Sequence, residues 1–210
     1  METLCVFVVL FIEETSKKNA FCHKNNIHGG LYMETLECIK TRRSVRKFKT
    51  DSVSKETIEK LVLAASYAPS WKNTQTTRYI AITNEEVKAR LATECCAEHN
   101  AQIINGAPLL IATLIVDKRS GFERDGSFST SRKDAWQAFD NGIATQTLCL
   151  AANDLGLGTV VMGLYDIDKA SDIIGVPEGQ LLMALVAVGY PDEKPSVPKK
   201  KTVEDLLSYC

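Results

Sequence analysis

Leu109-Leu110-Ile111-Ala112-Thr113-Leu114-Ile115-Val116 is the stretch on which the fold turns. It is too short to span a bilayer. It is also too continuously apolar for a strand with one wet face. It therefore reads as a central strand covered on both sides. Working outward, Arg78 to Thr83 alternates and is rich in β-formers, a second strand. Thr159 to Met162 follows the turn Gly156-Leu157-Gly158, and Leu181 to Val188 is another buried strand, closed by Gly189-Tyr190-Pro191.

Helical patterns lie between these strands. Glu34 to Lys40 carries Leu36 and Ile39 at helical spacing. Ser54 is a natural N-cap for a helix whose Ile58, Leu61, Val62 and Ala65 follow i, i+3, i+4, i+7 and which ends at Ala68-Pro69. Asn84 can cap a helix running to about Cys96, with Glu85 and Glu86 favoured in its first turn. Asn100 to Ala107 leads to Pro108. Ala135 to Asn153 is the longest pattern, with Trp136, Phe139, Ile143, Gln146 and Leu150 on one stripe and the small Ala138, Gly142 and Thr145 beside it. Such a helix serves the domain core, a dimer seam, or a share of both. Ile167 to Ile174 is short and stopped by Gly175. Lys118 to Arg132 reads as a surface excursion, the kind of segment that covers ligand sites. After Asp192 the chain is extended, then carries Lys199-Lys200-Lys201 and a short amphipathic end, Val203 to Leu207. With about four strands and four or five helices alternating irregularly, residues 33–210 form one α+β domain.

The first 32 residues differ. Leu4 to Ile12 is apolar, but no Lys or Arg precedes it and Glu13-Glu14 follows, so it makes a poor signal peptide. Met33-Glu34-Thr35-Leu36 repeats the opening Met1-Glu2-Thr3-Leu4, which suggests Met33 as the natural start and residues 1–32 as an extension, disordered or non-native. Cys22, His23 and His28 lack a fourth ligand, so no metal is expected.

Composition narrows the function. The 210 residues carry a net charge of −1, which argues against a nucleic-acid or membrane-surface partner. Seven cysteines, an odd number without a C-x-x-C, point to reduced thiols and a cytoplasmic setting. Gly156-x-Gly158 and Gly163 have the wrong spacing for a dinucleotide fingerprint, and they open a strand rather than a helix. No G-x-S-x-G occurs. Cys38, Cys95, Cys96 and Cys149 read as small buried apolar residues. Three polar stations remain: Arg42-Arg43-Ser44-Val45-Arg46-Lys47-Phe48, the loop Pro69-Ser70-Trp71-Lys72-Asn73-Thr74-Gln75, and the lysine run. Two are cationic, and a guanidinium fork matches phosphate. With little other acid–base equipment, a borrowed cofactor would carry the chemistry.

Residues 33–210 resemble the nitroreductase family of FMN-dependent oxidoreductases. Arg42-Arg43-Ser44-Val45-Arg46-Lys47-Phe48 is similar to the family's R-R-S-[IV]-R-x-[FY], and Ala68 to Gln75 to its A-P-S-x-x-N-x-Q. Ala107-Pro108, Gly156-Leu157-Gly158 with Gly163, and Val188-Gly189-Tyr190-Pro191 follow in order. The resemblance implies a central, mostly antiparallel sheet flanked by helices, in an intertwined homodimer with C-terminal tail exchange and two FMN sites at the interface. Arg42, Arg43 and Ser44 would bind phosphate and ribityl, and Arg46 would sit near the pyrimidine side of the ring and tune it. Pro69, Ser70 and Asn73 would come from the other subunit. Asn100 would face the pyrimidine edge, Met162 and Gly163 would pass their backbone beside N5, and Lys200 or Lys201 would close on the phosphate. The implied activity is ping-pong hydride transfer from NADH or NADPH, through flavin N5, to a nitroaromatic, quinone or similar small acceptor. Alternatives are a flavin carrier or sensor without turnover, or a specialised reductase or dehalogenase of the same fold. Thr76-Thr77 stands where the family often has Pro-Trp, and the tail offers lysines where the family often has arginine. The first departure leaves the substrate pocket's shape, and Trp71's place in its wall, open.

Overall fold

The computed structural model describes residues 33–210; the proposed extension 1–32, with Cys22, His23 and His28, lies outside them. The elements run α1 (Thr35–Thr41), α2 (Lys55–Ser66), a 3-10 turn (Trp71–Asn73), β1 (Thr77–Ile82), α3 (Glu85–Arg90), a π turn (Leu91–Cys95), α4 (Glu98–Gly106), β2 (Leu109–Val116), α5 (Ala135–Asp154), β3 (Gly158–Met162), α6 (Ile167–Ile174), β4 (Gln180–Gly189) and α7 (Val203–Leu206). This is the expected α+β domain. Its four strands lie in the order β1-β2-β4-β3, and every pair is antiparallel.

β2 is central, as its sequence requires. Leu110, Ala112 and Leu114 join one apolar cluster with Leu91, Ile103 and Ile104. Leu109 and Ile111 join the other, with Leu61, Ala65, Leu148 and Ala152. The period of two thus feeds alternate residues to helical layers on opposite faces, which is why the run is apolar throughout. Its one polar residue, Thr113, donates from Oγ1 to Asn141 Oδ1 of α5 at 3.1 Å, and the register with β4 shifts between Thr113 and Leu114.

Local signals behave as expected at several ends. The Ser54 hydroxyl accepts from the Thr57 N–H and the Asn84 side chain from the Val87 N–H. Gly175 closes α6 in the left-handed conformation at φ 70°. Two readings change, and one left open is decided. The helix starting at Asn84 is α only to Arg90 and then widens into the π turn. Asn100 to Ala107 belongs to a full helix, α4, whose start lacks a side-chain cap and so left no signal. In α5 the stripe facing the domain is Gln137, Asp140, Asn141, Ala144, Leu148 and Ala152, not the Trp136–Phe139–Ile143 stripe. Polar side chains can face inward here because they find partners: Asn141 Nδ2 donates to the Leu114 carbonyl at 3.3 Å and Gln137 Nε2 to Asp117 at 3.3 Å. Phe139 is left 58% exposed. Among the described residues, no helix is long and apolar enough to cross a membrane.

Candidate functional site

α1 ends at Arg42, where the backbone turns extended and its N–H still reaches the Cys38 carbonyl. The chain then runs beside the start of β3. Ser44 bridges Thr159, and the Val45 N–H donates to the Thr159 carbonyl at 3.0 Å. On the far side, Phe48 bridges Pro191, the Lys49 N–H donates to the Tyr190 carbonyl, and the Asp192 N–H donates to the Lys47 carbonyl, both at 2.9 Å. The basic motif is therefore pinned between β3 and the segment leaving β4.

Two glycines make room for it. Gly158 and Gly189 face each other in the β3–β4 register. A Cβ on Gly158 would meet Val45 side-chain atoms at 2.7 Å, and one on Gly189 would meet Pro108 at 2.7 Å and Phe48 at 3.0 Å. The paired glycines leave a shallow place at the sheet's end, and Val45 and Phe48, 5% and 9% exposed, fill it. Lys47, between them, is exposed.

Above this seat lies a cavity of about 300 Å³ lined by Arg42, Arg43, Thr159, Glu193 and Lys194, among others. Arg43 Nη1 donates to the Lys40 and Arg42 carbonyls, and Arg46 Nη1 to the Ser44 carbonyl at 3.1 Å. Among the described residues, none of these three arginines is ion-paired to a carboxylate. Arg42 and Arg43 line the cavity without pairing to its Glu193, and guanidinium forks so left suit an anion such as a phosphate. Cys149 is nearby: burial pushes its thiol up, against the pull of a Thr159 hydrogen bond and the Arg42 charge. That makes it an inert packing residue rather than a nucleophile.

The loop 69–75 lies elsewhere. Pro69, Ser70 and Gln75 line a larger cavity of about 500 Å³ between α2, β1 and α5, and none of its lining residues also lines the arginine cavity. Ser70 Oγ accepts from the Gln75 N–H at 2.9 Å, and Gln75 donates to Asn73 Oδ1 at 3.2 Å. Lys72, Asn73 and Gln75 sit at φ 46°, 53° and 48°, a left-handed backbone that costs energy without glycine. External ties hold it. Asp140 Oδ2 accepts from the Trp71 N–H at 2.9 Å and from the Ser120 hydroxyl at 2.7 Å. Lys72 pairs with Glu123 at 2.9 Å, and the Trp71 and Trp136 rings lie 4.7 Å apart. The excursion after β2 is thus tied to this loop.

Met162 is buried at the end of β3, and Gly163 is exposed beyond it. Thr159 and Met162 lie ~10 Å apart along β3. Asn100 Nδ2 donates to the Leu164 carbonyl at 2.9 Å, so it joins the turn after Met162. Lys200 and Lys201 are exposed in the tail. The chain therefore brings Arg42, Arg43 and Ser44 to the start of β3 and Asn100 to its end, and keeps Pro69, Ser70 and Asn73 apart from both. Two supporting carboxylates escaped sequence reasoning. Asp140 could have been noticed as an acid inside an apolar helix; Glu193 had no signal beyond lying just after Gly189-Tyr190-Pro191.

The profile of the nitroreductase family matches residues 39–99 and 96–190. A protein of Methanothermobacter thermautotrophicus provisionally named NADH dehydrogenase/NAD(P)H nitroreductase is 31% identical over 167 residues, covering 78% of this chain and 80% of its own. Two crystal structures share the fold. One, from Parabacteroides distasonis and of the same provisional name, has a TM-score of 0.68 at 27% identity, over 83% of this chain and 96% of its own. The other, a provisionally named nitroreductase from Desulfovibrio desulfuricans in complex with FMN, has a TM-score of 0.68 at 25% identity, over 86% and 99%. The chain belongs to the nitroreductase family.

Proposed function

We propose that this protein is an FMN-dependent NAD(P)H oxidoreductase that alternates between the nicotinamide and a small acceptor, a nitroaromatic, quinone or similar compound, in ping-pong order. When bound, FMN supplies a ring nitrogen that accepts and returns a hydride. Arg42 and Arg43 neutralise its phosphate and Ser44 adds a hydroxyl donor. Arg46 places positive charge where the reduced ring carries negative charge. Met162 and Gly163, ~10 Å further along β3, offer backbone to the ring. The observation that carries the reading is the cavity at the start of β3 lined by Arg42 and Arg43, neither of them ion-paired among the described residues, with the Glu193 carboxylate beside them bonded to backbone N–H groups instead. The relative solved with FMN supports the same cofactor.

We further propose a homodimer in which Pro69, Ser70 and Asn73 of one protomer complete the site of the other, with the tail wrapping the partner and Lys200 or Lys201 reaching the phosphate. The separation of the two cavities within one chain supports this. So do apolar residues left without cover: Phe139 on α5, and Val203, Leu206 and Tyr209 in the tail.

The test is purification followed by stopped-flow spectroscopy. The protein should be yellow, or become so with FMN, and the bound flavin should bleach on mixing with NADH or NADPH and recover its colour with an acceptor. A colourless protein that stays so after FMN addition sinks the proposal. Bound flavin that neither nicotinamide bleaches points instead to a carrier or sensor.

A further inference from the structure

We infer that Glu193 is a positioning residue for the basic motif, a latch through which the segment leaving β4 sets the geometry of Arg42 to Arg46. The inference rests on the FMN reading above for its binding arm. The backbone accounting at the motif leads to it. The Val45 N–H is satisfied by β3, but the next two, at Arg46 and Lys47, have no strand beside them. Both donate to one carboxylate oxygen, Glu193 Oε1, at 2.5 and 3.2 Å. In a regular strand consecutive N–H groups diverge; here they converge, forming a concavity that favours an anion. The side chain of this same chain fills it.

Glu193 also lines the arginine cavity, so a second role competes with the first. As a bare negative charge, it would oppose a phosphate there. As a latch, it would favour one by holding the motif still. The bonding favours the latch. The carboxylate pairs with no guanidinium among the described residues, and both of its contacts are to backbone. Its neighbours reinforce the attachment: Asp192 bonds Lys47, and Tyr190 bonds Lys49. Arg46, whose own N–H is held, rests its guanidinium on the Ser44 carbonyl. Releasing the latch would free the backbone at Arg46 and Lys47, and the Arg46 side chain with it, while β3 still holds Ser44 and Val45.

Reach and charge can be separated by substitution. Glu193→Gln keeps the reach and an acceptor oxygen but drops the charge. Glu193→Asp keeps the charge but is one methylene short. Each variant, as full-length flavin-free protein with wild-type circular dichroism, is titrated with FMN, and amide hydrogen exchange is followed at residues 44–49 without flavin. Expected are a loss of FMN affinity of roughly tenfold or more in Glu193→Asp, near-wild-type affinity within a few-fold in Glu193→Gln, and faster exchange at Arg46 and Lys47 in the aspartate variant only. Tighter FMN binding in Glu193→Gln, or wild-type affinity and exchange in Glu193→Asp, overturns the latch. If the wild-type chain binds no FMN, the cofactor reading fails, while the exchange arm still decides whether Glu193 holds the motif.

Discussion

Arg42 and Arg46 are four residues apart and carry the same group, yet their surroundings differ. Arg42 lines the cavity at the end of α1; Arg46 is exposed and rests on the Ser44 carbonyl. In the proposed FMN site the first would anchor the cofactor and the second would tune it. Arg42→Ala should weaken FMN binding by about 10- to 100-fold, the worth of a charged hydrogen-bonded contact, in a fluorescence titration. Arg46→Ala should bind FMN nearly normally but slow the bleaching by NAD(P)H about tenfold or more in stopped flow. Tyr79 offers a different test. Burial pushes its phenol up to about 12, and its hydroxyl has no partner among the described residues. The folded state therefore keeps a proton that the unfolded state releases near its ordinary value of 10. Stability is unaffected below pH 10 and falls between pH 10 and about 12. Tyr165, also raised to about 12 by burial, adds to the same decline. Tyr79→Phe should be neutral at pH 7 and should reduce the alkaline loss, read as urea midpoints across that range. The arginines were legible from residue type and order. Glu193 and Asp140 were not, because each acts on backbone N–H groups far away in sequence, and nothing local marks that contact.

At the level of elements, the glycine turns explain why the motifs travel together. Gly158 and Gly189 are conspicuous in sequence, but their common purpose appears only when β3 and β4 pair them under Val45 and Phe48. Gly158→Ala would set a methyl at 2.7 Å from Val45. Overpacking of this kind costs about 1–3 kcal/mol, to be seen in urea unfolding, and FMN affinity should fall with it because the motif is pushed off its seat. Strands β2 and β4 and the capped helix α2 were readable because burial on two faces, and a cap ahead of an amphipathic stripe, leave local patterns. α5 was left open by its sequence, between domain core and dimer seam, and the structure turns inward a side that mixes Leu148 and Ala152 with Gln137, Asp140 and Asn141, whose polar groups find partners on β2 and the loops.

For the whole molecule, the outward stripe of α5 raises the question of the partner. Gly142 lies on that side, exposed, and a Cβ there meets nothing within 4 Å in the single chain. Gly142→Leu should therefore leave the protomer folded. In the proposed homodimer it should disrupt the seam, raising the dimer dissociation constant about tenfold or more by sedimentation velocity, and FMN affinity should fall in parallel. A dimer as tight as wild type would exclude α5 from the seam. A chain beginning at Met33 should retain both dimer and flavin, by sedimentation and absorbance, if residues 1–32 are an extension. By itself the sequence determined the α+β class, the order along the chain of the strands and of the helices other than α4, and the cationic motif with its family resemblance. These depend on local periodicity, caps and composition, which neighbouring residues carry. Only the tertiary structure decided the strand order β1-β2-β4-β3, the inward side of α5, the seat made by two glycines, and the separation of the Arg42 cavity from the Pro69–Gln75 loop. Each of these joins residues distant in sequence, and the free energy that selects the pairing comes from burial and hydrogen bonds that exist only once the chain has closed on itself.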